Sequence, residues 1–157
     1  MLEEINGVHS NYNNYIYCYH LAENNKLVII MYRTFKDYVG SNGTNYIERW
    51  FKKELTEQQR SDLEVLIGVL EKQQHWGMPD YKQLKGKHSV LGELRLNAKP
   101  PIRLIGYTKG SEFIFLIGCK HRESYDPIDA LDTALSRKKD LENNHGKTID
   151  HDFYNYD

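Results

Sequence analysis

The chain has 157 residues, 21 Lys and Arg against 22 Asp and Glu, 39% hydrophobic residues and a mean hydropathy of -0.71. That length suits one folded unit, and the apolar fraction can fill a core, which excludes wholesale disorder. No apolar run approaches the ~20 residues of a membrane span, and the opening MLEEINGVHS lacks the basic and apolar regions of a signal peptide. Cys18 and Cys119 lie far apart and form no metal or disulfide framework. The expectation is a cytoplasmic chain with free thiols, no membrane partner and no cofactor.

Residues 1–25 read as a polar, tyrosine-rich N-terminal arm. Lys26 to Phe35 (KLVIIMYRTF) is rich in β-branched and aromatic residues, which predicts one strand buried on both faces. Ser41-Asn42-Gly43 is turn chemistry. Ile47, Trp50, Phe51 and Leu55 recur at helical spacing, so Asn45 to Leu55 is expected to be a helix. Thr56 and Gln59 form a capping box. The helix they open aligns Leu63, Leu66, Ile67 and Leu70 on one stripe. It should stop near Gln74, before the Gly77-Met78-Pro79-Asp80 breaker. The short connection between the two helices predicts an αα-hairpin.

After Leu84 the period changes to that of strands: Val90 to Leu96, Ile102 to Tyr107 and Glu112 to Cys119. Thr108-Lys109-Gly110-Ser111 joins the last two as a hairpin. Asp126-Pro127 is expected to open a final helix, with Ile128, Leu131 and Leu135 inward and Arg137-Lys138-Lys139 near its C-terminal dipole. Residues 143–157 read as a polar acidic tail. The fold expected is α+β. A small antiparallel sheet, an N-terminal strand plus a three-stranded meander, packs against the αα-hairpin, with a C-terminal helix. A single domain spans 26–142, and the sheet face away from the hairpin is left free.

Charge is uneven along the chain. Residues 82–125 carry nine cations against three acids, a net of +6 within an otherwise acidic sequence. A basic sheet face is the electrostatic footprint of a phosphate-binding surface.

The ordered set Leu84-Lys85-Gly86, Leu91-Gly92-Glu93-Leu94-Arg95-Leu96, Ile102-Arg103-Leu104-Ile105 and Phe113 to Gly118, followed by Lys120-His121-Arg122 and Tyr125, resembles the RelE/HigB family of ribosome-dependent mRNA-interferase toxins, including phage-borne members. The resemblance covers about residues 26–141. It implies a compact α+β fold with a concave basic sheet face that docks in the ribosomal decoding site. It implies mRNA cleavage by attack of a 2′-hydroxyl on the adjacent phosphate, without metal or nucleotide cofactor, and a cognate antitoxin. The modest overall charge, Glu93 where the RelE branch carries lysine, and the acidic C-terminal extension point to the HigB-like branch.

The chemistry also follows from the residues. Strand positions two apart share a face, so Glu93 and Arg95 point the same way, with Arg103 across from Arg95 if the register suits. Two guanidiniums facing one phosphate would stabilise the charge that develops on its oxygens. His121 has the pKa range for proton transfer near neutrality. Lys120 adds positive potential and Tyr125 a ring for a base, which completes a candidate catalytic set of Arg95, Arg103, Lys120, His121 and Tyr125. Lys85, Lys87 and Arg122 are candidate RNA-binding residues. The competing reading pairs Arg95 and Arg103 with Glu93 and Glu112, leaves His121 in solvent and uses Tyr125 as a helix staple. The remaining histidines show no metal spacing, and no acyl-transfer, ATP or NAD motif is present. A non-catalytic RelE-like, phage-related module that binds a protein or RNA partner is the alternative function.

Overall fold

A computed structural model describes residues 33–152 with their side chains, and Ser10–Tyr12, Tyr15–Ala22 and Lys26–Tyr32 by backbone. Those three segments, β1 (Ser10–Tyr12), β2 (Tyr15–Ala22) and β3 (Lys26–Tyr32), pair in order as a small antiparallel sheet. The rest of the expected N-terminal arm, residues 153–157 and the Cys18 side chain lie outside the described residues.

The second sheet holds seven strands. They are β4 (Thr34–Val39), β5 (Tyr81–Gln83), β6 (Gly92–Leu96), β7 (Ile102–Lys109), β8 (Glu112–His121), β9 (Tyr125–Asp126) and β10 (Lys147–Asp150). Their order is β10-β4-β8-β7-β6-β5, with β9 also on β8. β4 runs parallel to β8 and every other pair is antiparallel, so the sheet is mixed, and larger than the small antiparallel sheet expected. The predicted strand from Lys26 to Phe35 breaks at Arg33. Backbone bonds from Arg33 N to Glu71 O and from Thr34 N to Ser111 O turn the chain away from β3 and start β4 beside β8. An unbroken β-rich run carries no sign of such a change of partner.

Among the described residues three α-helices cover the sheet: α1 (Tyr46–Glu54), α2 (Glu57–Glu71) and α3 (Ala130–Glu142). Asn45 caps α1 by accepting from Ile47 N and Glu48 N, and Thr56 and Gln59 form the reciprocal capping box of α2. Leu63, Leu66, Ile67 and Leu70 join Ile47, Phe51, Phe113 and Phe115 in one core, so the phenylalanines are the residues that β8 turns towards α2. α3 lies on the opposite face. There Ala130 and Ala134 are buried with Leu91, Ile105, Tyr107, Ile114, Leu116 and Cys119. The face expected to be free is therefore a second core.

The start of α3 differs from expectation as well. Tyr125 and Asp126 pair with His121 and Lys120 as β9, which holds the Asp126-Pro127 segment extended, so the helix begins three residues later and Ile128 is 77% exposed. Residues 143–157, read as a tail, supply the edge strand β10 on β4. Beyond it the buried His151 sets Nδ1 2.6 Å from Asp37 Oδ1, while Asn45 Nδ2 donates to Asp37 Oδ2 at 3.0 Å. One buried carboxylate thus ties the end of the sheet to the cap of α1. Among the described residues no helix is long and apolar enough to cross a membrane.

Leu66 sits in the first core, so Leu66→Ala should cost ~2–5 kcal/mol in urea unfolding, and a loss under ~0.5 kcal/mol would remove that stripe from the core. Thr56→Ala, which deletes one half of the capping box, should cost ~1 kcal/mol in the same assay.

Candidate functional site

The register of β6 against β7 makes Arg95 and Arg103 Cα partners, and β7 against β8 places Cys119 beside Arg103. Glu93 faces Ile105, a member of the α3-side core. Glu93, Arg95, Arg103, Cys119 and, two positions on, His121 therefore share the α3 side of the sheet. Tyr125 joins them as the β9 partner of His121. Lys120 does not. Its partner Ile102 belongs to the core under α1 and α2, and its ammonium lies 4.0 Å from Glu54 of α1. Adjacent strand residues point to opposite faces, so Lys120 and His121 could not both join one site.

Glu93 organises this face. Its Oε1 lies 3.5 Å from Arg95 Nε and 3.6 Å from Arg103 Nε, and its Oε2 accepts from the Tyr125 hydroxyl at 2.7 Å. Glu93 is 3% exposed and Arg103 7%, so Arg103 is not the exposed arginine expected. Arg103 spends one terminal nitrogen on its neighbour's carbonyl, Ile102 O, at 2.9 Å. Neither Nε is within hydrogen-bond geometry of any acceptor among the described residues. Two guanidiniums face one carboxylate, which leaves a net positive charge that the Arg95 side chain, 23% exposed, carries to the rim.

The protonation states follow from burial. The Tyr125 phenol is pushed far above its usual range, first by burial and then by its bond to the Glu93 carboxylate. It is a donor at neutral pH and no base. The Cys119 thiol is pushed up to about 12 by burial and by Glu93, which leaves it a protonated, inert core group. Burial and the charge of Arg95 draw the Arg103 guanidinium down. A guanidinium starts so high that Arg103 stays charged near neutrality all the same. His121 packs its ring edge-on to Tyr125, centroids 4.6 Å apart, and is half-buried. That contact occupies the Tyr125 ring expected to stack on a base.

The remaining candidates are scattered. Arg122 is exposed in the turn between β8 and β9. Lys85 and Lys87 sit at a 3₁₀ turn, Gly86–His88, before the Gly92 end of β6, ~10 Å along the strand from Arg95. There Lys87 and His88 both meet Asp132 in the first turn of α3, at 3.3 and 3.2 Å. Glu93 was expected only as a competing ion-pair partner, and its central place follows from the register. Glu112 instead pairs Lys36. Met78, whose sulfur lies 2.8 Å from Arg95 NH1, had no sequence signal at all. Among the described residues no group of three His, Cys, Asp or Glu is placed to hold a metal ion.

Comparison with protein-family models, with curated proteins and with solved structures finds no match to this chain.

Removing Arg103 would leave Glu93 buried with weaker compensation, so Arg103→Ala should cost about 3 kcal/mol, the lower end for a broken buried pair because Arg95 and Tyr125 remain. Tyr125→Phe should cost ~1–3 kcal/mol at pH 7, since Glu93 Oε2 loses its donor. The folded phenol titrates above the unfolded one, so its contribution is complete below the ordinary tyrosine range, ~10, and is lost as pH rises through the higher folded value. The gap in urea midpoint between wild type and Tyr125→Phe should therefore stay constant from pH 7 to 9 and begin to close only above pH ~10.

Proposed function

We propose that the face carrying Arg95, Arg103, His121 and Tyr125 binds an RNA phosphodiester and cleaves it by metal-independent 2′-hydroxyl attack, in the manner of the RelE/HigB toxins that the sequence resembles. The observation that carries this reading is the direct cross-strand pairing of Arg95 with Arg103, with buried Nε donors lacking acceptors and His121 on the same face. A phosphate at the rim would draw on the terminal nitrogens of Arg95, while Arg103, deeper, supplies potential from behind. His121 is the proton-transfer group of this set, and Tyr125 is a positioning residue that holds Glu93 and the imidazole. Lys120 drops out of the phosphate site. Mutual orientation of the two arginines costs nothing on binding, because Glu93 already holds them.

A second reading, a non-catalytic RelE-like module that binds RNA or a protein, draws on the same carboxylate. Glu93 neutralises one of the two guanidiniums and weakens the field available to a phosphate. The two readings part at His121. A general acid or base contributes ~10²–10⁴ in rate, so His121→Gln should abolish growth arrest on expression and RNA cleavage on translating ribosomes, with melting unchanged. Arg95→Ala should weaken RNA binding and flatten its salt dependence by about one unit of slope. Full activity in His121→Gln would remove the histidine from the mechanism. A folded, harmless wild type whose RNA affinity still depends on Arg95 would favour the binding module.

A further inference from the structure

The edge of β8 opposite β7 is paired with β4 only from Glu112 to Phe115, and with β9 only at Lys120 and His121. Between them, residues 116–119 have no strand neighbour on that side among the described residues. α1 and α3 wall this gap, which opens into a crevice of about 350 Å³ lined by the Tyr46 and Trp50 rings, Gly118, the cations Lys120 and Arg137 and the carboxylates Glu54 and Asp126, among others. The absence of a side chain at Gly118 is what makes room: a Cβ there would lie 2.2 Å from the Trp50 ring. Arg137, expected to serve the C-terminal dipole of the helix, instead reaches inward from α3. It donates to Leu116 O at 2.7 Å, and its guanidinium lies 4.2 Å from the Tyr46 ring centre. No carboxylate is within ion-pair distance of Arg137 among the described residues, and Lys120 meets only Glu54, at the limit of such a pair.

We propose that this crevice is a nucleotide subsite for the RNA strand whose phosphodiester lies at Arg95 and His121. The inference rests on the phosphodiester reading above and extends it to the neighbouring nucleotide. Lys120 and Arg137 beside an indole and a phenol offer what a single-stranded nucleotide requires, with Glu54 and Asp126 as the opposing carboxylates of the crevice: a base stacks on aromatic or guanidinium planes, and cations take its phosphate. The connection between the sites is geometric. Lys120 and His121 are consecutive, so one serves each side of the sheet, and the β8–β9 turn with Arg122 lies between. A strand passing over that turn meets His121 on one side and Lys120 on the other. The volume falls in the ~300–1,000 Å³ range of small-ligand sites. An extended peptide fits less well, because the four-residue gap is closed at one end by β4 and at the other by β9.

The test uses the full chain labelled with 5-fluorotryptophan, so that Trp50 and Trp76 give separate ¹⁹F signals, assigned with Trp76→Phe. The probe is a 2′-O-methyl hexaribonucleotide, which cannot be cleaved, with its binding followed in parallel by anisotropy. The expected result is a shift of the Trp50 signal that saturates with the anisotropy, and a loss of affinity of about fivefold with a shallower salt slope in Lys120→Ala. Binding that depends on Arg95, with an unmoved Trp50 signal and no effect of Lys120→Ala, would overturn the subsite and leave the phosphodiester site standing. No binding to any form would overturn both. A Trp50 shift with an acetylated extended hexapeptide, and none with the RNA, would make the crevice a peptide site and overturn the proposal.

Discussion

β8 sends Phe113 and Phe115 into the core beneath α1 and α2, and Ile114, Leu116 and Cys119 into the core beneath α3. A strand buried on both faces, paired with β7 from Glu112 to Lys120 on either side of one bulge, with β4 and β9 sharing its other edge, is fixed in register. A slip of one residue would exchange the two cores and turn Lys120 inward with Arg103. The alternation along this one strand, shifted once by the bulge opposite Ile105 and Gly106, therefore decides which charged residues can meet. It places His121 with the arginines and sends Lys120 through to the other side, towards α1.

The charged face depends on a second constraint, the cost of burying Glu93. A carboxylate taken out of water needs its oxygens answered, and here Tyr125 answers one while two guanidiniums flank the other. This arrangement pre-orients Arg95 and Arg103 and pins β9 to β6 across the sheet. A similar device works at the far edge, where Asp37 joins His151 to Asn45 and so couples β10, β4 and the first turn of α1. Both carboxylates are nodes at which segments distant in sequence are held together. Substitutions at either would disturb several elements at once.

Much of the central architecture was legible in the sequence because its signals are local. The capping box at Thr56 and Gln59, the stripe from Leu63 to Leu70 and the tight Lys109–Glu112 hairpin each depend on residues a few positions apart. The facing of Glu93 and Arg95 follows from a period of two. Other signals misled for equally local reasons. Asp126-Pro127 has the chemistry of a helix start, yet β9 pairing claims it. Lys147–Asp150 is polar on its face, yet it pairs as an edge strand, where backbone bonds rather than side-chain burial hold it.

What the amino-acid sequence by itself determined was the α+β class, the capping box of α2, the meander and the concentration of positive charge between 82 and 125. Only the tertiary structure decided the parallel pairing of β4 with β8, the second core under α3, the burial of Arg103 on Glu93 and the crevice at Gly118. The reason is physical. Periodicity and capping act within one turn or one strand, whereas the partner across a sheet, and the depth at which a charge comes to rest, depend on residues tens of positions away.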